Sequence, residues 1–383
     1  MIRITLRFFV TWGLLPVFLW IFASCSRDTK VTNVTDGEMT LNVGFKMPVR
    51  SSSTNGYEEG EAYESYIDIE NGNYRIYFFD AANKLIARFE PDGFIVTEGS
   101  NYRNYNVLGK APDALIGYST LKMVVLANWP IYNDTNIKTG ETTIDDICNA
   151  NWARFNASTS LSLEPGKKFL IPFYGVREYN GITLKAGQAT ILPKPVTLLR
   201  AVAKVEVILN TTDDDSGNSL SDDSFADVSV CHYNAHGYCA PSEVYSQNDY
   251  GQGNDWDNDY LPTLHLINGE NDTDATSRKL SFHCLNRRTD TENEKWIVYL
   301  PEYNNEGNDY SYIEIRLDSQ ASESESYKVY FAKYENGKPN IENRFNIARN
   351  NLYRFTITVR NGRIIVNVKQ WDNAFDNEYN FDE

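Results

Sequence analysis

The feature that most constrains the fold of this chain is the alternation of apolar and polar residues along short runs. In the run MTLNVGFKMP every second residue is apolar, so the apolar side chains share one face of a strand. These residues are Leu41, Val43, Phe45 and Met47. Similar runs recur between Asn, Gly, Asp and Pro, and helical periodicity is rare. The pattern predicts an all-β fold built from β-sandwiches, with few short helices.

Later runs predict further strands and one short helix. The run 121–128 is almost continuously apolar, which favours a central strand buried on both faces. Asn361 and Gly362 separate two alternating runs and predict a tight hairpin. A type I′ hairpin turn needs positive φ at both central positions, which Asn and Gly adopt readily. Segment 142–154 predicts a helix with Thr143 as its N-cap. The remaining predicted strands are 74–80, 84–89, 169–175, 187–192, 196–210, 295–300, 312–317, 327–334, 352–360 and 363–371.

The length of 383 residues predicts two domains. Pro193 and Pro195 interrupt the chain just before the longest strand-like run, 196–210, so we place the boundary near Pro195. The predicted domains are 38–195 and 196–383. Segments 210–227 and 247–276 are acidic and polar, and they are either exposed recognition loops or spacers.

The first 25 residues are an export signal rather than part of a domain. Arg3 and Arg7 precede a mostly apolar run, 8–23, which is shorter than the about 20 residues that a spanning helix needs. Residues 1–24 are therefore predicted to be a signal peptide. Small residues directly before Cys25 resemble a bacterial lipobox, which predicts a lipidated Cys25 and a flexible tether over 25–37. The alternative is an ordinary signal in which Cys25 has no role.

Composition excludes several classes of function. The formal net charge is -16, which argues against a nucleic-acid partner because phosphate binding needs a local excess of Lys and Arg. The sequence holds no Walker loop, no dinucleotide fingerprint, no HExxH and no nucleophile elbow. Segment 255–266 begins like a calcium loop but has Tyr260 and Leu266 where glycine and a carboxylate are needed. We therefore predict no cofactor and no catalytic or metal site.

The cysteines and histidines leave alternatives open. Cys231, His232, His236 and Cys239 offer zinc donors, although adjacent strand residues point to opposite faces. In an exported chain the thiols other than Cys25 are free, joined in disulfides or bound to metal. They are Cys148, Cys231, Cys239 and Cys284. Trp256, in a polar loop, is the one exposed candidate for stacking on a sugar.

Several runs, taken in order, resemble the fimbrillin family of type V pilus subunits. They are residues 22–25, the early strand ending at Arg50, YRIYFFDAANKL, KMVVLAN, LLRAVAKVEV, IARNNLYRFTITV and IIVNVKQWD. They cover most of the mature chain, and 210–294 lies outside the resemblance. The resemblance implies two tandem β-sandwich domains of transthyretin-like Greek-key topology. It also implies a lipoprotein precursor, with palmitate or another acyl chain on Cys25.

Members of that family are cut behind their first strand by a trypsin-like protease, and a neighbour's C-terminal strand then fills the groove. Carried onto this sequence, the cut falls between Arg50 and Ser51, with Lys46 a poorer choice. The displaced strand is the one that carries Leu41, Val43, Phe45 and Met47. The donor would come from 364–381. Its apolar residues include Ile364, Val366, Val368, Trp371 and Phe375.

The resemblance therefore implies a non-enzymatic, structural subunit of a cell-surface fimbria that supports adhesion. The implied partners are copies of itself or related pilins, outer-membrane lipid through Cys25, a surface trypsin-like protease, and a host or bacterial surface ligand. We expect the first strand to lie at a sheet edge that is protected only until cleavage. The alternatives are a surface glycan-binding β-sandwich lipoprotein and, as a third reading, a hydrolase of the same compartment.

Overall fold

The structure is a computed structural model of the chain. It describes residues 39–48, 64, 66–98, 102–129, 136–148, 154–157, 169–210, 225–238, 240, 279–287, 293–303, 305, 310–317, 326–335, 338–347, 349, 352–360 and 363–371. The described chain is dominated by strands, which confirms the predicted all-β sandwich class.

Among the described residues, eleven strands precede residue 201, and most of them form two five-stranded sheets. They are β1 Thr40–Pro48, β2 Tyr74–Phe79, β3 Leu85–Phe89, β4 Gly93–Glu98, β5 Tyr102–Lys110, β6 Thr120–Ala127, β7 Arg154–Asn156, β8 Phe173–Asn180, β9 Ala189–Ile191, β10 Val196–Thr197 and β11 Leu199–Arg200. One sheet has the order β10-β1-β5-β4, with β9 also paired to β1, and the other has the order β11-β8-β6-β2-β3. Apolar side chains of both sheets are buried in one core, as in a sandwich.

Twelve strands follow, and nine of them form two further sheets. They are β12 Val202–Leu209, β13 Phe225–Cys231, β14 His236–Tyr238, β15 Lys279–Ser281, β16 His283–Asn286, β17 Glu294–Pro301, β18 Tyr312–Leu317, β19 Tyr327–Tyr330, β20 Ala332–Glu335, β21 Lys338–Arg344, β22 Leu352–Arg360 and β23 Arg363–Trp371. The sheet orders are β16-β17-β12-β22-β23 and β15-β13-β18-β19. Two small two-stranded sheets, β14-β7 and β20-β21, complete the pairing.

The helix α1, Ile144–Cys148, is shorter than the predicted segment 142–154. Its N-terminus is capped as predicted, because the Asp146 N–H donates to Thr143 Oγ1 at 3.1 Å. In return the Thr143 N–H donates to Asp146 Oδ2 at 2.8 Å. The last predicted helical residue, Arg154, instead begins β7, which pairs with β14.

The prediction of one long strand over 196–210 is wrong. The chain forms β10, β11 and β12 in succession, and each of them joins a different sheet. Val196, Thr197, Leu198 and Leu199 are all buried, so the segment lacks the alternation of a strand that keeps one face toward a core. The division into domains at Pro195 stays a prediction.

A buried group of charges packs the first half of the chain against the second. The Glu64 carboxylate lies 2.7 Å from Lys204 Nζ and accepts a hydrogen bond of 2.5 Å from the Tyr299 hydroxyl. Arg200 Nε donates to the Glu64 carbonyl at 2.7 Å. Lys204 also lies 3.0 Å from Glu206, a carboxylate that is 1% exposed. Glu64, the first described residue after β1, is therefore held by β11, β12 and β17.

In the part of the chain that the structure describes, no helix is both long and apolar enough to span a membrane. Nor do His, Cys, Asp and Glu side chains gather there in a group that could hold a metal ion.

Candidate functional site

β1 has the amphipathic character that its sequence predicts. Leu41, Val43 and Phe45 have no exposed surface, and Met39 just before the strand is 1% exposed. The residues between them, Asn42 and Gly44, are half-buried on the opposite face. Met47 belongs to the strand, but its side chain lies outside the described part. From Leu41 to Phe45, the inward face of β1 is therefore a buried apolar ribbon.

The expectation that β1 lies at a sheet edge is wrong. All nine of its residues pair antiparallel with β5, from Thr40 opposite Lys110 to Pro48 opposite Tyr102. On its other side β1 pairs in parallel with β9 over Thr40–Asn42 and with β10 over Phe45 and Lys46. β9 and β10 follow β1 by well over a hundred residues, so no local pattern in the sequence predicts that they pair with it. β1 therefore fills a slot between two walls.

The two walls differ in how completely they cover β1. The β5 wall is continuous, whereas the other wall is made of two short strands with a gap between them. Near this gap, a Cβ added to Gly44 would lie 3.3 Å from Pro195 Cβ and 3.2 Å from Asn106 Oδ1. The side chains of Asn106 on one side and Pro195 on the other therefore approach the middle of β1 closely, and there is little room for a larger residue at position 44.

Aromatic rings line the floor of the slot beneath Phe45. The Phe45 ring stacks on Tyr105 with centroids 5.2 Å apart and meets the Phe94 ring edge-on at 6.3 Å. The Tyr105 hydroxyl accepts the Ile67 N–H at 3.2 Å. Burial raises the pKa of the Tyr105 phenol, so it stays neutral. The stacked and edge-on rings of this floor suit an apolar side chain such as that of Phe45.

The predicted processing residues Arg50 and Ser51 lie outside the described residues, as does Cys25. The structure does describe the chain on both sides of the predicted cut. β1 ends at Pro48, and Glu64 is fixed by Lys204, Tyr299 and Arg200 as above. Both flanks of the processing segment are therefore anchored to the protein.

The predicted donor region is placed in part. β23 pairs along its whole length with β22, with Arg363 opposite Arg360 and Trp371 opposite Leu352. This register leaves 361–362 as a two-residue connection and confirms the predicted hairpin. β23 ends its sheet, and among the described strands its one sheet partner is β22.

Val366 of β23 already belongs to the chain's own core. It is 6% exposed and lies opposite the buried Ile357. In the register of the two strands, Ile364 pairs with Val359 and Val368 pairs with Phe355. Phe375, the remaining predicted donor residue, lies outside the described residues. β1 and β23 occupy different sheets, and the structure does not bring them together.

The thiols give no sign of a metal or redox site where they are described. Cys231 is buried and free, and Cys284 is half-buried and free. Cys231 Sγ lies 3.9 Å from Glu314 Oε2, and burial raises the pKa of the Cys231 thiol. A raised pKa keeps the thiol protonated and less reactive. Cys239, Trp256, the loop 255–266 and the side chain of Cys148 lie outside the described residues.

Two aspects of this site were not predicted from the sequence. Tyr105 and Phe94, which form the floor, lie in runs that were not singled out. Strands were predicted at 187–192 and 196–210, but the pairing of β9 and β10 with β1 was not. Periodicity predicts which face of a strand is buried, but it carries no information about which distant strands flank it.

Comparison with known proteins gives matches among solved structures only. No family model matches the chain, and no curated protein matches it. The structure is similar to the tip fimbrial protein Mfa3 from Porphyromonas gingivalis with C-terminal truncation, with 14% identity, a TM-score of 0.45, and coverage of 88% of this chain and 99% of that one.

A fimbrial assembly protein from Parabacteroides distasonis matches with 15% identity and a TM-score of 0.48, covering 88% of this chain and 96% of that one. A candidate cell adhesion protein from Bacteroides eggerthii matches with 14% identity and a TM-score of 0.43, covering 88% and 98% of the two chains. Fimbrial proteins are thus among the structures to which this chain is similar, as the sequence resemblance predicts.

Proposed function

We propose that this protein is a structural subunit of a cell-surface fimbria, polymerised by donor-strand exchange that proteolysis triggers. The chain is exported as a lipoprotein and anchored to the outer membrane through Cys25. β1 occupies its slot as a placeholder until a trypsin-like protease cuts after Arg50. A C-terminal segment of a neighbouring copy, or of a related pilin, then takes the place of β1. The observation that carries this proposal is the burial of β1 between two walls at the very start of the described chain.

The position of β1 in the chain supports exchange. Every other described element follows β1, so a single cut behind Pro48 turns β1 into a separate peptide held only by noncovalent contacts. Before the cut, the linkage keeps β1 at a high effective concentration beside its slot. After the cut that advantage is lost, and a strand of a second molecule competes on equal terms.

The burial of β1 makes its departure without a substitute unfavourable. Each of Leu41, Val43 and Phe45 stabilises the fold by about 1.5–3 kcal/mol through burial. Their sum of roughly 4.5–9 kcal/mol approaches the whole stability of a domain, about 5–15 kcal/mol. The empty slot would also leave backbone groups of β5, β9 and β10 without their partners. An incoming strand with the same alternation restores both contributions, as in β-augmentation.

The burial of β23 bears on which segment is donated. Transfer of β23 itself would break its ladder with β22 and expose Val366 and the core beneath it. The tail beyond Trp371 carries Phe375, Tyr379 and Phe381, which would share one face of an extended strand. This tail could be donated without that cost. We therefore place the donor within 364–381, with its tail portion entering the neighbour's slot first.

The test is mild trypsin treatment of the purified mature protein, followed by N-terminal sequencing and by SDS gels of unboiled samples. We expect a new N-terminus at Ser51 and a ladder of oligomers that resists SDS until the sample is boiled. Arg50→Ala should abolish both, whereas Lys46→Ala is the control that should preserve both. Monomers that persist after a cut at Ser51, or an unchanged ladder from Arg50→Ala, would contradict the proposal. Glycan affinity lost on Trp256→Ala, without ladders, would favour the surface glycan-binding lipoprotein instead.

A further inference from the structure

The slot around β1 has one wall that is fixed to the opposite sheet rather than to β1. Residues 194–201, which include β10 and β11, run alongside β8 in the antiparallel direction. Lys194 is tied to Tyr179, Leu199 pairs with Tyr174, and the Ala201 N–H donates to the Pro172 carbonyl at 2.8 Å. The segment therefore contacts β8 or the residue before it at both of its ends.

We propose that β8 holds the β10 wall in place when β1 has left, with Tyr179 and Gly175 as the positioning residues. This inference rests on the proposed exchange, and it goes further by saying why the slot does not collapse once it is empty. β10 pairs with β1 at Phe45 and Lys46. The segment that contains β10 is tied to β8 and to Pro172 independently of β1, through Lys194, Leu199 and Ala201. Loss of β1 should therefore leave β10 where an incoming strand needs it.

Tyr179 fixes the start of the wall. Its hydroxyl donates to the Lys194 carbonyl at 2.6 Å, and its side chain is 3% exposed. Burial raises the pKa of the Tyr179 phenol, so the group keeps its proton and remains a donor at physiological pH. A buried hydrogen bond to the backbone just before Pro195 sets where β10 begins.

Gly175 allows the middle of the wall to lie directly on β8. A Cβ at position 175 would be 2.5 Å from the Thr197 carbonyl oxygen and 2.7 Å from both Val196 Cγ1 and Leu198 Cδ2. No side chain fits in that space, and even alanine would push β10 away from β8. Glycine at this position therefore sets the depth of the wall and hence the width of the slot.

β9 provides the contrast within the same wall. Its pairing in the described part of the chain is with β1, supplemented by hydrogen bonds from the Thr40 N–H to the Gln188 carbonyl and from the Leu192 N–H to the Asn42 carbonyl. Ile191 is 71% exposed. Once β1 has gone, β9 has no comparable tie to the opposite sheet among the described residues. We expect β9 to loosen while β10 and β11 remain fixed.

The first experiment needs no variant in the wall. A site for a sequence-specific protease is inserted within 51–56 of the mature protein, the chain is cut, and the β1 fragment is removed in mild urea. Hydrogen exchange before and after should show at least tenfold faster exchange for 189–192 and little change for 199–201. Equal acceleration in both segments would overturn the inference. The chain is cut at the engineered site rather than after Arg50, and the measurement needs no polymer. This result is therefore independent of whether fimbriae form.

The second experiment measures how well the empty slot accepts a strand. A fluorescent synthetic peptide of residues 39–48 is titrated onto the cut protein. Tyr179→Phe and Gly175→Ala should each weaken binding at least tenfold. Tyr353→Phe is the matched control, because Tyr353 is also a buried tyrosine whose hydroxyl donates to a backbone carbonyl, that of Asn346, at 2.6 Å. It should bind the peptide like the wild type. Wild-type affinity in both wall variants would overturn the assignment.

Discussion

β1 and β23 have similar sequence patterns, but they occupy different positions in their sheets. Each is nine residues long and carries apolar residues at alternate positions. β1 is flanked on both sides, whereas β23 lies at the end of its sheet with β22 as its one sheet partner among the described strands. A flanked strand can be removed only if another replaces it, while an end strand leaves one row of backbone groups for addition. Under the proposed function, this difference suits the β1 slot to accept a strand and the C-terminal end to donate one.

The two sheets also differ in what stabilises them. The floor beneath β1 is apolar and aromatic, with Phe45 stacked on Tyr105. The sheet that contains β23 has a buried carboxylate, Glu206, with three cations around it. Its partners are Lys204 at 3.0 Å, Lys295 at 3.3 Å and Arg354 at 2.7 Å. Truncating a buried side chain should therefore destabilise the first sheet most, and neutralising a buried charge should destabilise the second sheet most.

The largest expected effect is that of Phe45→Ala in β1. A fully buried phenylalanine costs about 3–5 kcal/mol when truncated, whereas Val366→Ala in β23 removes less volume and should cost about 2 kcal/mol. Urea unfolding of the uncut mature protein measures both free energies. If Val366→Ala proved the more destabilising, β1 would not be the better-buried strand and the comparison would fail.

Sequence predicted the elements of this comparison better than their arrangement. The alternation in β1, the hairpin of β22 and β23, and the two-sided burial of β6 between β8 and β2 were all predictable from periodicity and turn residues. The flanking of β1 was not, because parallel pairing with β9 and β10 brings together segments far apart in the chain. The break of 196–210 was also missed, because a segment buried on every side has no alternation to interpret.

The next largest effect is the loss of stability at low pH, when the Glu206 carboxylate among its three cations becomes protonated. Burial alone would raise the pKa of Glu206, but Lys204, Arg354 and Lys295 lower it from 4.5 to about 2. A lowered folded-state pKa stabilises the fold above the unfolded-state value, and this contribution is lost as the pH falls through about 2. The loss amounts to about 3 kcal/mol. It should appear as lower hydrogen-exchange protection factors, which correct for the slower intrinsic exchange in acid, in β12 and β22 at pH 2.5 than at pH 6, with β1 and β5 less affected.

The control for this effect is Glu206→Gln, which cannot titrate. We expect this variant to be less stable than the wild type at pH 6, because Arg354, Lys295 and Lys204 each lose an ion pair with Glu206, although Lys204 keeps its ion pair with Glu64. The difference between the two proteins should shrink toward pH 2, where the wild-type carboxylate also becomes neutral. A difference that stays constant from pH 6 to pH 2 would show that the Glu206 charge does not stabilise this sheet.

The smallest expected effect is that of Gly362→Ala in the turn before β23. The register of β22 and β23 leaves a two-residue connection, and the turns that suit such a connection need positive φ, which costs alanine about 1–2 kcal/mol. Gly93→Ala at the start of β4 is the matched control, because a Cβ there meets nothing within 4 Å and its backbone has no positive φ. Urea unfolding should show a loss for Gly362→Ala alone, and hydrogen exchange should place that loss in β22 and β23 rather than in β1. If protection fell equally in β1, the two strands would belong to one cooperative unit, and the donor end could not move without disturbing the slot.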